Sequence, residues 1–363
     1  MKYIIDENKK TPAYLQLYMQ VRDDIIKGIY PPGSKLPSKR VLCADTSVST
    51  ITVEHAYSLL AEEGYIETRE RSGYFVIFST DTSFVSSSKD VPYSMVGHHS
   101  DSTVDFPFSV LAKTMRSVIS NLGMGILNRS PNSGCMELRD AIRIYLAQNR
   151  GIIADAGQIV IGSGSEYLYT LLIELFGRNL VYAIESPSYK QIEQVYTAAE
   201  VELQKLPLGN DGIESGALHN CNADILHISP YRSYPSGVTA TASKRHEYIN
   251  WAQESNRYII EDDFESEFSL SKKTVETLFS HSRHDNVIYM NTFSKTISPS
   301  FRIGYMVLPK QLVEKYQSKL GFYSCTVPTY MQFVLAELIK NGDFERHINR
   351  VRRAKRKETE SDK

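Results

Sequence analysis

Lys295 stands in the run Asn291-Thr292-Phe293-Ser294-Lys295-Thr296-Ile297-Ser298-Pro299-Ser300-Phe301-Arg302-Ile303-Gly304-Tyr305, between two strand-like apolar stretches. A lysine presented there can condense with the aldehyde of a cofactor. Ser294 and Arg302 flank it, a hydroxyl and a guanidinium suited to a phosphate. Upstream, Gly162-Ser163-Gly164-Ser165 joins a strand to a helix, and the amides around Gly164 and Ser165 form a second phosphate cradle. A cofactor with a basic ring nitrogen also needs an acid partner, and Asp262 ends a strand-like run where it can serve. Tyr189, after Glu185-Ser186-Pro187, can cover the face of a ring. Each residue alone has a plain alternative: a surface lysine, an ordinary strand-to-helix turn, a solvated acidic cluster with Glu261 and Asp263. Their joint order points to one pocket holding pyridoxal phosphate.

The elements that must position these residues alternate. Strand-like runs fall at 158–161, 180–184, 201–206, 224–228, 257–261, 286–290 and 303–308, with helical patterns between most of them, as at 166–175 and 244–255. This predicts an α/β unit over 106–363 with a mostly parallel seven-stranded sheet covered on both faces. Residues 79–105 are Ser-rich and aperiodic and read as a flexible linker, His98-His99 included, since no further ligands accompany them. Residues 1–78 read as three helices and a β-hairpin. The first helix stops at Gly28, Ser38 caps a second, a break at Asp45-Thr46-Ser47 precedes a third over 49–63, and strands at 65–69 and 74–78 close the unit.

The chain has 363 residues with 41 Lys+Arg against 42 Asp+Glu, a net charge of -1, which excludes a globally basic nucleic-acid coat and a strongly acidic disordered chain. No apolar stretch suits a membrane span, and the N-terminus lacks a signal-peptide pattern. The 4 cysteines lie far apart without a CxxC pair, so a cytoplasmic location is expected, with no zinc site.

The N-terminal run Tyr30-Pro31-Pro32-Gly33-Ser34-Lys35-Leu36-Pro37-Ser38-Lys39-Arg40, followed by Val48-Ser49, Thr52-Val53, Ala56-Tyr57, Leu60 and Glu63-Gly64-Tyr65-Ile66, resembles the GntR-family winged helix-turn-helix. The resemblance implies that Ser38, Lys39 and Arg40 bind phosphate. It implies also that Ser49, Thr50, Thr52 and His55 face base edges, and that Arg69 and Arg71 lie on the wing. Thr50 stands where the family often has Arg, which removes a bidentate guanine contact, and Arg71 stands where it often has Gly. Residues 1–76 carry ten basic and ten acidic side chains, so weak non-specific DNA binding that depends steeply on dimerisation is expected.

The pocket segments, with Pro131, Gly134, Leu138-Arg139, Tyr234-Pro235-Ser236-Gly237 and Ile260-Glu261-Asp262-Asp263, resemble fold-type I, aspartate aminotransferase-like enzymes. Joined to the winged helix, they resemble the MocR/GabR subfamily of GntR regulators. This implies a homodimeric transcription regulator that binds operator DNA, holds pyridoxal phosphate on Lys295 and senses an amino acid or amine. Two departures bear on the chemistry. Phe264 replaces the tyrosine that donates to the cofactor's phenolic oxygen, and Tyr234 replaces an asparagine. The small domain that supplies a substrate-carboxylate Arg in fold-type I proteins is largely absent before Lys363, so transaminase activity is not expected. The basic run 350–357 reads as a solvated helix face, with a nucleic-acid tail as the alternative. An aminotransferase with a DNA-binding appendage, and a DNA-binding dimer with a degenerate cofactor-free domain, are the alternatives.

Overall fold

The computed structural model describes residues 3–6, 11–69, 72–78, 106–269, 276–282 and 284–361. The expected linker 79–105 and Arg71 lie outside the described residues. Contacts divide the chain into two units, Met1–His99 and Ser100–Lys363.

In the first unit, helices α1 (Ala13–Ile26), α2 (Lys39–Thr46) and α3 (Thr50–Glu62) precede strands β1 (Ile66–Arg69) and β2 (Gly73–Val76). Helix α1 buries Leu17, Tyr18, Val21 and Ile25, one face of a 3.6-residue period, against Val53, Ala56, Tyr57 and Leu60 of α3. Ser38 caps α2: its hydroxyl accepts from the Val41 N–H at 3.3 Å. The expected break at Asp45-Thr46-Ser47 comes later than the sequence suggests. Thr46 still belongs to α2, its hydroxyl bonded back to the Leu42 carbonyl at 2.6 Å, and Ser47 ends the helix by turning the chain at φ 57. The hairpin is antiparallel, with Ile66 opposite Val76.

The second unit contains α4 (Phe108–Leu122), α5 (Met136–Arg150), β3 (Ile159–Gly162), α6 (Ser165–Phe176), β4 (Val181–Ser186), α7 (Lys190–Ala198), β5 (Glu202–Pro207), α8 (Ser215–His219), β6 (Ile225–Ile228), α9 (Ala242–Glu254), β7 (Tyr258–Asp262), α10 (Leu278–His281), β8 (Val287–Thr292), β9 (Gly304–Val307), α11 (Lys310–Leu320), α12 (Thr329–Lys340) and α13 (Asp343–Ser361). One sheet of seven strands has the order β3-β9-β8-β7-β6-β4-β5, and only β9 runs antiparallel to its neighbours.

Both faces of this sheet are covered, so strands read as nearly continuous apolar runs. Ile159 and Ile161 of β3 enter one core with Leu138, Ile142, Val334 and Leu335 from α5 and α12. Val160, between them, enters the opposite core with Leu168 and Leu172 from α6 and Leu312 from α11. The carboxyl ends of β3, β4, β7 and β8 open onto loops at one edge, where α/β sheets place ligands.

The basic run of α13 departs from the expected solvated face. Arg352 Nε donates to the Glu267 carbonyl at 2.7 Å, and Lys355 Nζ lies 4.8 Å from the centre of the Phe268 ring. The stems of these cations pack on the segment that follows β7. No described helix is long and apolar enough to cross a membrane.

Candidate functional site

A cavity of about 390 Å³ opens at the carboxyl ends of the strands. Ser165, Tyr189, Asp262, Ser294, Lys295 and Arg302 all line it, although they come from four separate stretches of chain. Gly164 adjoins it with φ 104, and a Cβ there would meet Arg302 Nη2 at 3.0 Å, so glycine is what the turn admits. The first-turn N–H groups of α6 have no intrahelical acceptors, which suits an anion. Ser294 and Thr292 pair their hydroxyls at 3.1 Å at the end of β8. Arg302, in the left-handed region at φ 45, pairs with Glu166 at 2.9 Å.

Asp262 closes the inner end of the cavity and is 5% exposed. Glu261, Asp262 and Asp263 are all buried, so this is no solvated cluster. Alternation along the strand sends them to different partners. Glu261 accepts from the Leu278 and Phe279 N–H groups at 2.8 and 2.9 Å, and Tyr289 donates to Asp263 at 2.7 Å. Asp262 accepts from the Tyr169 hydroxyl and lies 3.6 Å from His227 Nε2. His227 Nδ1 sits 2.8 Å from the Tyr196 hydroxyl, while its buried Nε2 makes no hydrogen bond. Burial and the Asp262 charge hold the Tyr169 hydroxyl well above its ordinary range, so it stays a donor.

Lys295 Nζ contacts the Glu265 carboxylate and lies 5.1 Å from the centre of the Phe264 ring. Phe264 thus forms an apolar wall where a tyrosine would offer a hydroxyl. Tyr189 covers one side, edge-on to Tyr234 at 6.0 Å. The set consists of an amine, a buried carboxyl opposite an orphaned imidazole nitrogen, an aromatic cover, and hydroxyls with a guanidinium beside a helix N-terminus. It fits an aromatic aldehyde that carries a phosphate.

Sequence reasoning missed Tyr169, His227, Glu166 and Glu265. Only Tyr169 left a signal: it follows Ser165 by one helical turn and shares its face.

Near the end of β4, Glu185 is buried, accepting from the Ser233 hydroxyl and from the Ser229 N–H at 3.3 Å. Burial pushes its carboxyl up to about 8 despite those bonds, and burial does the same to Glu261. A carboxyl raised in the folded state holds its proton more tightly there than in the unfolded chain. Its contribution to stability is therefore full below the ordinary carboxylate range and is lost as pH rises through about 8. Thermal melts between about pH 5 and pH 8 should show stability falling with pH, and Glu185→Gln should reduce the slope by up to roughly 1.4 kcal/mol per pH unit. An unchanged slope would contradict this.

In the first unit, Ser49 caps α3, accepting from the Thr52 N–H at 3.2 Å, and its hydroxyl pairs with that of Thr52 at 2.9 Å. Cys43 donates to Thr50 Oγ1 at 3.7 Å. His55 is exposed, edge-on to Tyr14 at 5.8 Å. Lys39 pairs with Glu54 at 3.0 Å, Arg40 is exposed at the start of α2, and Arg69 pairs with Glu67 at 2.7 Å over the Phe75 ring.

The winged helix and this sheet, with its cavity at the strand ends, define a DNA-binding head joined to an aminotransferase-like body. Residues 13–76 match the family model of bacterial regulatory proteins, gntR family, and residues 100–361 match that of aminotransferase class I and II. The HTH-type transcriptional regulator YdeL of Bacillus subtilis is 33% identical over 357 residues, which cover 95% of this chain and 77% of that protein. The rhizopine catabolism regulatory protein MocR of Rhizobium meliloti is 26% identical over 96% of this chain and 76% of its own length. Among solved structures, the α-aminoadipate aminotransferase LysN of Thermus thermophilus superposes with a TM-score of 0.61 at 25% identity, covering 68% of this chain and 64% of that one. The chain spans less than two thirds of that enzyme.

The chain belongs to the GntR-type HTH transcriptional regulators of the MocR kind, which carry an aminotransferase class I and II domain. That fold implies pyridoxal phosphate binding.

Proposed function

We propose that the protein regulates transcription from operator DNA in response to an amino acid or amine that reaches pyridoxal phosphate in the cavity. The observation that carries this reading is the convergence of Lys295, Asp262, Ser294 and Arg302 on one cavity. When bound, the cofactor supplies an aldehyde carbon at which amines exchange. Lys295 supplies the resident amine. Asp262, oriented by Tyr169, receives the ring nitrogen, and Tyr189 covers the ring. Ser165, Ser294, Arg302 and the amides after Gly164 take the phosphate. Phe264 leaves the phenolic oxygen with one donor fewer, which suits exchange and sensing better than turnover.

The active form is proposed to be a homodimer. Phe108, Ile119, Leu122, Met124, Leu127 and Phe322 are exposed apolar side chains among the described residues of this unit, more than isolated surface positions account for.

In the DNA-binding unit, Arg40 and Lys39 at the start of α2 are proposed to take phosphate, with Ser38 holding that turn in shape. Thr50, Thr52 and His55, near the start of α3, are proposed to face bases, with Ser49 as its cap, and Arg69 to take phosphate from the wing, a role the resemblance also gives Arg71. Arg40→Ala should weaken DNA binding about tenfold across sequences and lower the salt slope by about one ion. Loss confined to one sequence would instead make Arg40 a base reader.

The reading as a whole is tested on DNA selected from a random library by the full-length protein. Mobility shifts with and without pyridoxal phosphate and an amine panel should change apparent affinity for wild type and not for Lys295→Ala. Equal responses in both proteins would refute the sensing role.

A further inference from the structure

Glu265 lies three residues past Asp262, just before the turn Ser266–Phe268, and the proposed function gives it no role. One oxygen touches Lys295 Nζ, and the other lies 3.5 Å from Arg232 Nη1. The Glu265 side chain is 19% exposed, so the ion pair is shielded from much of the solvent screening that weakens surface pairs. Arg232 sits in the left-handed region at φ 49, with its N–H donating to Thr239 Oγ1 at 3.1 Å. A non-glycine residue there costs about 1 kcal/mol or more, and such strain persists where the surroundings fix it.

The other acids at the cavity are committed elsewhere. Asp262 is held by Tyr169, and Glu166 pairs with Arg302. A carboxylate in contact with an imine-forming lysine suits the free ammonium, which carries a full charge and three donors. A nitrogen bonded to the cofactor has lost two of those protons.

We propose that Glu265, backed by Arg232, receives the Lys295 amine when an effector amine displaces it, and so sets how readily the site exchanges amines. This rests on the reading of Lys295 as the cofactor-binding lysine. In the exchange, the effector nitrogen gains the double bond to the aldehyde carbon and the bond from that carbon to Nζ breaks. Two protons pass from the effector ammonium to Nζ, so Lys295 leaves as an ammonium with no net change in protons or electrons. Glu265 is a positioning residue: it stabilises the released lysine and touches no effector atom.

The full-length protein, loaded with pyridoxal phosphate, is titrated with methylamine, reduced with borohydride and weighed by intact mass spectrometry. The chain keeps the cofactor's mass only where Lys295 still held it. Glu265→Gln should raise the methylamine concentration for half release about tenfold, from the loss of a charge-assisted pair. Glu265→Asp should restore most of the wild-type response, and Arg232→Ala should fall between. Full loading without methylamine shows that the variants fold. A Gln variant that loads fully and releases like wild type, or more readily, overturns the role of Glu265. A Gln variant that no longer loads overturns it too, by placing Glu265 in cofactor capture. A wild-type chain that takes no cofactor mass defeats the cofactor reading underneath.

Discussion

Replacing Arg150 with methionine is expected to lower the melting temperature of the aminotransferase unit by about 10 °C. Arg150 ends α5 and is 3% exposed. Its Nη2 lies 3.1 Å from Glu267 Oε2 and its Nε 3.7 Å from Asp263 Oδ2, as ion pairs without aligned hydrogen bonds. Burial alone would push the guanidinium pKa down, but the attraction of Glu267 and Asp263 outweighs it and drives it up. Removing the cation leaves two buried carboxylates facing each other, Glu267 also carrying the Tyr145 hydroxyl and Asp263 that of Tyr289. Breaking a buried pair in this way costs about 3–5 kcal/mol. Calorimetry checks it, and a shift of a degree or two would mean that Glu267 and Asp263 relax at little cost. The effect on the cavity should follow, because Asp263 is the residue after Asp262 and Glu267 is bound through its carbonyl to Arg352.

Asp262→Ala is expected to weaken pyridoxal phosphate binding by about two orders of magnitude, roughly 3 kcal/mol. The substitution removes the proposed partner of the ring nitrogen and also strands the buried Tyr169 hydroxyl, which donates to Asp262. Glu185 does not substitute for it: burial raises that carboxyl to about 8, so near neutral pH it is mostly uncharged. Asp262→Asn keeps the side chain's volume and separates charge from packing. It should lose most of the affinity while melting close to wild type. Absorbance titration measures both variants, and affinity within a few-fold of wild type would remove Asp262 from the cofactor's binding set.

Much of the fold was legible because it follows from local chemistry. Each of the seven strands was visible as a short apolar run, and the helical pattern 166–175 lies within α6. Each strand starts one residue later than read, and β8 also runs on to Thr292, against 286–290, because ladder pairing with Gly304 carries it there. The cavity-lining residues of the 291–305 run were readable because a lysine, a serine and an arginine at short spacing already suggest anion and aldehyde chemistry. His227, Glu265 and the pair of Arg150 with Glu267 were not, since chain neighbours give no hint of partners 30 or more residues away. For α13 the run of cations suggested a solvated face or a nucleic-acid tail, and the inward turn of Arg352 follows from the carbonyl of Glu267, which packing alone brings near.

The most direct measurement is to mix the full-length protein with pyridoxal phosphate, reduce with borohydride, digest and map the modified peptide by mass spectrometry. The cavity built by Asp262, Ser294, Lys295 and Arg302 predicts one stoichiometric adduct, on the peptide that contains Lys295. An adduct on another lysine, or none at saturating cofactor, would contradict it.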